Sequence, residues 1–183
     1  MSDRVSVIIP SYNHGPYIGA GLRSVLSQTH QDLEVIVVDD CSSDDSVQLA
    51  SSTGDPRVHV LRNLANQGTY GTQNAGLGSA TGQWIAILNS DDLWAPDKLE
   101  KQLNALRRTG GTWCYSLGEM IDEEGKTLPG DAHGDWPLDE TQDLLPHLLH
   151  VNRVLASSVM FKRGAVEFRS ELRYCGDWVA LLS

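Results

Sequence analysis

The stretch VSVIIPSYN, residues 5–13, decides the fold because a short apolar run is followed at once by polar residues. Its first five residues are mostly β-branched, which is typical of a strand buried on both faces of a parallel sheet. Pro10 ends the apolar run. The same design recurs in LEVIVVDD (residues 33–40) and in WIAILNSDD (residues 84–92). Three such segments predict a parallel sheet with polar residues along one edge.

Extended and helical patterns alternate over the first 110 residues. Pro16 suits a first helical turn, and apolar residues follow it at helical spacing. The predicted strands are 5–9, 33–38, 58–61 and 84–88. The predicted helices are 16–29, 70–80 and 96–108, together with one that runs from a cap at Ser42 or Ser43 to residue 52. This alternation predicts the α/β class, with three layers (α/β/α) around a mainly parallel central sheet.

The pattern changes after about residue 110. We expect a strand at 113–121, a turn at 124–126, a loop at 129–140, a helix from Thr141 to about 150, and a strand at 157–162. Residues 1–110 are therefore interpreted as a nucleotide-binding half. Residues 111–183 are interpreted as an added α+β portion on the same core, so that 1–183 form one domain.

The charge balance excludes one class of partner. The chain has 183 residues, with 14 Lys and Arg against 24 Asp and Glu, and a formal net charge of −10. A nucleic-acid partner is not expected, because binding the phosphate backbone requires a basic surface. The sequence contains neither a transmembrane apolar run nor a signal-peptide pattern. Three widely spaced cysteines, without zinc or disulfide spacing, favour a cytosolic setting.

Acidic pairs follow two of the apolar strands. Asp39 and Asp40 end the second strand, Asp91 and Asp92 follow the fourth, and Tyr12 follows the first. Buried carboxylates are costly without partners, so these pairs indicate a metal, a sugar or a base edge as the ligand. Alternatively, any single one of these acids is a helix cap or a solvated loop residue. The glycine fingerprint of dehydrogenases and the P-loop are both absent.

An ordered set of short motifs resembles glycosyltransferase family 2. The set comprises residues 5–13, 37–44 (VVDDCSSD), Asn66-Gln67-Gly68, Asn74-Ala75-Gly76, Ala80-Thr81-Gly82 and Asn89-Ser90-Asp91-Asp92. The resemblance runs from residue 5 to about residue 182. It implies the nucleotide-diphospho-sugar transferase (GT-A) fold. It also implies transfer of a sugar from a nucleotide diphosphate with inversion, using Mn²⁺ or Mg²⁺.

The resemblance also implies roles for individual residues. Tyr12 would stack on the nucleobase, and Asp40 would accept a hydrogen bond from a uracil-like N–H. Asp92 would ligate the divalent ion, for which carboxylate oxygen is a suitable ligand. The nucleotide-binding set implied in this way is Pro10, Tyr12, Asn13, Asp39, Asp40, Gly68, Asn74 and Asp91.

The family places a catalytic base near the end of this region. In this chain Asp177, within Cys175-Gly176-Asp177-Trp178, stands at that position. Asp177 would take the proton of the acceptor hydroxyl as that hydroxyl attacks the anomeric carbon. Without the family, Asp177 is interpreted as an acid at a helix start.

Two departures from the family bear on function. Gln73 stands where family members commonly carry Arg, so a cation that could hold the diphosphate is missing. The chain also ends six residues after Asp177, which we interpret as truncation of a catalytic core. Both departures favour the alternative of a non-catalytic nucleotide-sugar-binding or assembly subunit. A nucleotidyltransferase is a further alternative, although a basic glycine-rich loop is missing after the first strand.

The resulting hypothesis is a metal-dependent, inverting glycosyltransferase. We expect a nucleotide diphospho-sugar donor, with a UDP-sugar favoured, and a glycan or lipid-linked glycan as the hydroxyl acceptor. Synthesis of cell-surface polysaccharide is the expected setting, in the cytoplasm or at the inner face of the membrane. A homo-oligomer is compatible with the short last helix.

Overall fold

A six-stranded sheet forms the centre of the computed structural model, which describes residues 3–130 and 144–182. The strands are β1 (Val5–Ser11), β2 (Leu33–Asp39), β3 (Val58–Arg62), β4 (Trp84–Ile87), β5 (Trp113–Cys114) and β6 (Met160–Lys162). The helices are α1 (Gly15–Leu26), α2 (Ser46–Ser51), α3 (Gly68–Ser79), α4 (Lys98–Thr109), α5 (Leu145–Leu148) and α6 (Gly176–Leu181). A short 3₁₀ turn, Ala156–Ser158, precedes β6.

The strand order is β3-β2-β1-β4-β6-β5. The first four strands are parallel, whereas β6 runs antiparallel to both β4 and β5. The chain therefore builds outward from β1 to β3 and then returns to place β4 on the other side of β1. The strand order reverses between β1 and β4, and such a switch point is where open α/β sheets bind ligands.

Each face of the sheet carries its own apolar core, because alternate residues of a strand point to opposite faces. Val5, Val7 and Ile9 of β1 pack with residues of α1, α2 and α4. Ile8 points to the other face and packs in the cluster that includes α3, α5 and α6. The predicted α/β/α arrangement with a mainly parallel sheet is confirmed.

The small residues of α3 let this helix approach the sheet closely. A Cβ added at Gly76 would lie 2.5 Å from Cγ2 of Ile8, so any larger residue would push the helix outward. This contact explains how a glycine-rich segment forms a helix here. Packing on the sheet compensates for the poor helix propensity of glycine.

The second half differs from the predicted elements. The strand predicted at 113–121 is only two residues long, because its partner β6 is itself short. The strand predicted at 157–162 is shortened by the 3₁₀ turn, which Ser158 Oγ closes by donating to the Leu155 carbonyl. The turn at 124–126 is present, with Gly125 at φ +81°. The predicted Thr141 cap lies outside the described residues, and α5 begins beside Pro146.

Glu34 stabilises the edge of the sheet opposite to the switch point. Its carboxylate accepts hydrogen bonds from Ser6 Oγ at 2.5 Å and from the Thr81 backbone N–H at 2.8 Å. Thr81 Oγ1 also donates to it, and Arg4 lies 3.4 Å away. Burial alone would raise the pKa of Glu34, but these donors outweigh it and lower the pKa to about 2.

The low pKa gives Glu34 a definite effect on acid stability. Its ionised form stabilises the fold above the ordinary value of 4.5, and this contribution is lost as pH falls from 4.5 to about 2. We expect Glu34→Gln to lower the free energy of unfolding by about 2 kcal/mol at pH 7, because a charged acceptor is lost. The deficit should shrink between pH 4.5 and 2, as measured by urea unfolding.

Glu100→Gln is the matched control, because Glu100 is exposed and accepts one hydrogen bond from Thr29 Oγ1. It should change the free energy of unfolding by less than about 0.5 kcal/mol at any pH. Equal losses in the two variants would contradict the role given to Glu34.

Candidate active site at the switch point of the sheet

The loops that follow β1 and β4 meet across the switch point. His14, just after β1, places Nδ1 2.6 Å from Oγ of Ser90, just after β4. The His14 backbone N–H also donates to Ser46 Oγ at the start of α2. These contacts hold three parts of the chain together at the carboxyl edge of the parallel strands.

The segment after β1 presents one exposed aromatic ring on a fixed backbone. Tyr12 is 50% exposed, so a face of its ring is available to a ligand. Asn13 adopts a left-handed φ of +53°, which Asn tolerates better than most residues. Its Oδ1 accepts from the Ser43 backbone N–H at 2.9 Å, and its own N–H donates to Ser42 Oγ. The Asn13 side chain thus joins the loops after β1 and β2.

Pro10 lies in the central strand at the point where the ladder between β1 and β4 ends. Leu88 N–H donates to the Ile8 carbonyl, so the even-numbered residues of β1 face β4. β4 ends at Ile87, opposite Ile8. In a parallel ladder the residue at position 10 would donate its N–H to the Leu88 carbonyl, and because Pro10 has no N–H the pairing of β1 with β4 stops after Ile87.

Asp40 forms the connection between β2 and α3. Its Oδ1 accepts from Asn63 Nδ2 and from the Gln67 backbone N–H, each at 2.8 Å. Its Oδ2 accepts from the Gly68 backbone N–H at 2.9 Å. No side chain of α3 caps the start of that helix, so this buried carboxylate satisfies its first donors and opposes its positive end. A carboxylate offers about four acceptor positions, so about one remains for a ligand.

Near the same edge, two buried polar atoms lack a hydrogen-bond partner within residues 3–130 and 144–182. Asp39 Oδ2 accepts from the Ser42 backbone N–H at 3.0 Å and pairs with Arg62 at 3.5 Å. Asp39 Oδ1 and Ser11 Oγ have no hydrogen-bond partner among the described residues. Buried polar atoms are normally hydrogen-bonded, and an unsatisfied pair on adjacent strands indicates a place where water or a ligand binds.

Two residues of α3 that were predicted to contact the nucleotide have protein partners. Gly68, at φ +73°, gives its N–H to Asp40. Asn74 donates from Nδ2 to the Phe168 carbonyl at 2.7 Å and accepts from the Phe168 N–H at 3.2 Å. Asn74 thereby ties α3 to the second half of the chain. A nucleotide contact by Asn74 stays a prediction, and it would compete with these two bonds.

Asp91 and Asp92 differ in their surroundings. Asp91 is exposed, whereas Asp92 is half-buried. Asp92 Oδ2 accepts from Ser157 Oγ at 2.5 Å and from Asn89 Nδ2 at 3.5 Å. Both hydrogen bonds from described residues go to this one oxygen, which leaves Oδ1 available.

The donor set suits a hard divalent ion that is shared with a phosphate ligand. Among residues 3–130 and 144–182, no group of three or more His, Cys, Asp or Glu side chains could enclose a metal. Mg²⁺ and its relatives are typically held by one or two carboxylates together with substrate phosphates. Asp92, with Asp91 beside it, fits that arrangement, and no zinc-type site competes with it in the described chain.

Asp177 lies in the first turn of α6 and contacts α3. Tyr70 donates its hydroxyl to Asp177 Oδ1 at 3.3 Å and stacks on Phe168 at 6.1 Å. Burial and the negative charge of Asp177 raise the pKa of Tyr70, so the phenol stays protonated as a donor. The ring packs on Gly176, where an added Cβ would lie 2.5 Å from Tyr70 Cε2.

A small, largely apolar cavity lies beneath Asp177. Its lining includes Gln73 of α3, Ile87 at the end of β4, Phe168 and Asp177. Gln73 is only 2% exposed, and its Oε1 has no hydrogen-bond partner among the described residues. Gln73 therefore faces the interior beside Asp177.

Three residues of this region were missed by sequence reasoning. Ser157 contacts Asp92, His14 contacts Ser90, and Tyr70 contacts Asp177. His14 could have been found from its position directly after the first polar strand end. Ser157 and Tyr70 depend on contacts between the two halves of the chain, which no local pattern reports.

The role of Asp40 in the free protein can be measured. Asp40→Asn places an amide NH₂ among three donors, so we expect a loss of about 2 kcal/mol in the free energy of unfolding. Asp91→Asn, at an exposed neighbouring acid, should stay within about 0.5 kcal/mol. Urea unfolding at pH 7 measures both values. An unchanged midpoint for Asp40→Asn would mean that Asp40 does not hold the start of α3.

The sequence is similar to proteins whose names refer to polysaccharide biosynthesis. A succinoglycan biosynthesis protein, ExoO, of Rhizobium meliloti is 35% identical over 124 residues, covering 68% of this chain and 36% of its own length. The putative teichuronic acid biosynthesis glycosyltransferase TuaG of Bacillus subtilis is 37% identical, covering 70% of this chain and 52% of its own length. The chain thus spans about half, or less, of the length of these relatives.

Solved structures resemble the fold over almost all of the chain. Staphylococcus aureus TarS in complex with UDP superposes with a TM-score of 0.78 at 22% identity, covering 96% of this chain and 53% of that one. A mannosyltransferase of Pyrobaculum calidifontis, in complex with GDP-Man and Mn²⁺, has a TM-score of 0.67 at 22% identity, covering 92% and 48%. Both solved structures support the predicted GT-A fold.

None of the described helices has the length and apolar character needed to cross a membrane. The model of the family described as glycosyl transferase family 2 matches residues 6–166, which is most of the chain. Together with a sheet whose switch point carries the family's ordered motifs, this match shows that the chain belongs to glycosyltransferase family 2.

Proposed function

We propose that this chain carries the donor site and catalytic base of an inverting glycosyltransferase that uses a nucleotide diphospho-sugar, most suitably a UDP-sugar. The main support for this proposal is the position and hydrogen bonding of the Asp92 carboxylate. Its carboxylate stands at the end of β4 beside the switch point, and one of its oxygens has no protein hydrogen bond among the described residues. A bound Mn²⁺ or Mg²⁺ would neutralise the diphosphate as it leaves.

We propose that the nucleotide part of the donor binds at the carboxyl ends of β1 and β2. Tyr12 offers an exposed ring face for stacking on the base. Asp40 retains about one acceptor position, and Asp39 Oδ1 and Ser11 Oγ lack described partners. Asp91 is exposed next to the metal ligand, where a ribose hydroxyl would lie. TarS, whose fold is similar, has been solved with UDP and with UDP-GlcNAc, which supports a uridine donor.

Asp177 is proposed as the general base. The acceptor oxygen forms its bond to the anomeric carbon while the bond from that carbon to the phosphate oxygen breaks. The proton of the acceptor hydroxyl passes to Asp177, and the nucleoside diphosphate leaves with the electron pair. One displacement inverts the anomeric carbon without an enzyme nucleophile. Tyr70 fixes the orientation of the Asp177 carboxylate through Oδ1.

The acceptor is proposed to be a hydroxyl of a growing cell-surface glycan, free or linked to a lipid. A relative from Escherichia coli, 38% identical over 118 residues, is named as a UDP-glucose glucosyltransferase that acts on a diphosphoundecaprenol-linked sugar. The names of ExoO and TuaG also refer to polysaccharide biosynthesis. These names favour polysaccharide synthesis as the setting, and we propose that it takes place at the cytoplasmic face of a membrane.

A binding or assembly subunit without catalysis is the second candidate. Gln73 favours it, because a neutral, buried residue stands where the family commonly provides Arg to hold the diphosphate. Mass spectrometry of the nucleoside diphosphate released from UDP-, GDP- and dTDP-sugars separates the two candidates. Binding of a donor without any turnover would favour the subunit.

The donor site is tested by calorimetry of UDP binding in the presence of Mn²⁺. We expect Asp92→Asn to lose at least about tenfold in affinity, because a neutral amide replaces the charged ligand of the cation. The exposed-acid control, Glu100→Gln, should bind as the unaltered chain does. Equal affinity in Asp92→Asn, or no UDP binding by the unaltered chain, would rule out this donor site.

The catalytic base is tested separately from binding. Asp177→Asn keeps the shape of the side chain but cannot accept a proton, so UDP binding should persist while turnover falls roughly 10²–10⁴-fold. UDP release in the presence of a glycan acceptor measures the effect. Unchanged turnover would remove Asp177 from the reaction.

A further inference from the structure

The 3₁₀ turn Ala156–Ser158 brings a hydroxyl from the second half of the chain to the end of β4. Ser157 is 9% exposed, and its Oγ lies 2.5 Å from Asp92 Oδ2. The Asn89 backbone N–H donates to the same Oγ at 2.8 Å. Since Oγ receives a hydrogen from Asn89, its own hydrogen points to the Asp92 carboxylate. The Ser157 hydroxyl therefore donates its hydrogen bond to Oδ2 of Asp92.

The turn itself is held in place by two buried side chains. Trp94 donates from Nε1 to the Ser157 carbonyl at 2.7 Å, and Gln102 donates from Nε2 to the Ser158 carbonyl at 2.8 Å. Trp94 is 7% and Gln102 is 4% exposed. Displacing the turn would leave buried donors without acceptors, which is unfavourable.

Lys98 completes this support from α4. Its Nζ donates to Gln102 Oε1 at 2.7 Å and lies 4.0 Å from the centre of the Trp94 ring. The Lys98 amino group thus contacts both side chains that hold the turn, and burial lowers its pKa to about 7. The chain of contacts runs from the interior of α4, through Trp94 and Gln102, to Ser157 and Asp92.

We propose that Ser157 is a positioning residue that fixes the Asp92 carboxylate with Oδ1 directed to the divalent cation. This inference rests on the proposed function, in which Asp92 is the metal ligand. The Ser157 hydrogen bond occupies Oδ2, which limits rotation of the carboxylate and leaves a single oxygen to coordinate. Partners of metal-binding carboxylates that lie one shell further out commonly affect metal affinity 10- to 100-fold.

Neighbouring serines provide a matched comparison. Ser158 lies in the same turn and is also buried, but its Oγ donates to the Leu155 carbonyl and does not touch Asp92. Ser157→Ala and Ser158→Ala remove the same atom from adjacent positions. Calorimetric titration of each variant with MnCl₂ in the presence of UDP measures metal affinity, and thermal unfolding without metal measures the structural cost.

We expect Ser157→Ala to weaken Mn²⁺ binding about tenfold, whereas Ser158→Ala retains the affinity of the unaltered chain. A purely structural role would lower both unfolding temperatures and leave both metal affinities alike. Equal Mn²⁺ affinities for the two variants would therefore overturn the proposal.

A second pair covers the case in which Ser157→Ala does not fold. Ser157→Thr keeps the hydroxyl, and Ser157→Val has nearly the same shape without it, so both carry the same steric cost. We expect Thr to bind Mn²⁺ about tenfold more tightly than Val. Equal binding by this pair also overturns the proposal.

The outcome for Asp92→Asn separates this inference from the function on which it rests. If Asp92→Asn binds Mn²⁺ normally, the donor site itself fails. If Asp92→Asn loses Mn²⁺ while Ser157→Ala keeps it, the donor site stands and Ser157 has no positioning role.

Discussion

The pairing of β1 with β2 on one side and with β4 on the other is the constraint on which the rest of the structure depends. Because β1 is central, the loops that follow it, β2 and β4 emerge at one edge. That edge receives the exposed ring of Tyr12, the buried acids of β2 and the acids after β4. The apolar strands form the core, and their register also brings together, at one candidate site, side chains that are distant in the sequence.

Asp40 and Asp92 show how the same residue type serves different purposes at this edge. Asp40 accepts three hydrogen bonds and occupies the start of α3, so its negative charge stabilises the protein itself. Within the described part of the chain, Asp92 accepts hydrogen bonds through Oδ2 only, which leaves Oδ1 for a ligand. Helix N-termini commonly bind phosphate, but at the start of α3 the Asp40 carboxylate occupies that place. In the proposed function the diphosphate would therefore be held by the cation beside Asp92, since Gln73 stands in place of the family's Arg.

Local patterns predicted the first half of the fold well. Apolar runs such as residues 33–38 and 84–88 indicate buried strands with little ambiguity, and their polar ends indicated the edge at which the site lies. The second half was predicted poorly. Residues 113–121 have the composition of a strand, but strand length there depends on a three-residue partner from far along the chain.

The contact of Ser157 with Asp92 also spans the two halves, and its strength depends on Trp94 and Gln102. Hydrogen bonds of this kind depend on tertiary structure and leave no periodic trace in the sequence.

The contact between Tyr70 and Gly176 has a consequence for how this region varies among relatives. The ring leaves no room for a side chain at position 176, and without the ring Asp177 loses a hydrogen-bond donor. A residue larger than glycine at position 176 therefore requires a side chain smaller than tyrosine at position 70. Positions 70 and 176, although distant along the chain, should be inherited as a co-varying pair that links the glycine-rich helix α3 to α6.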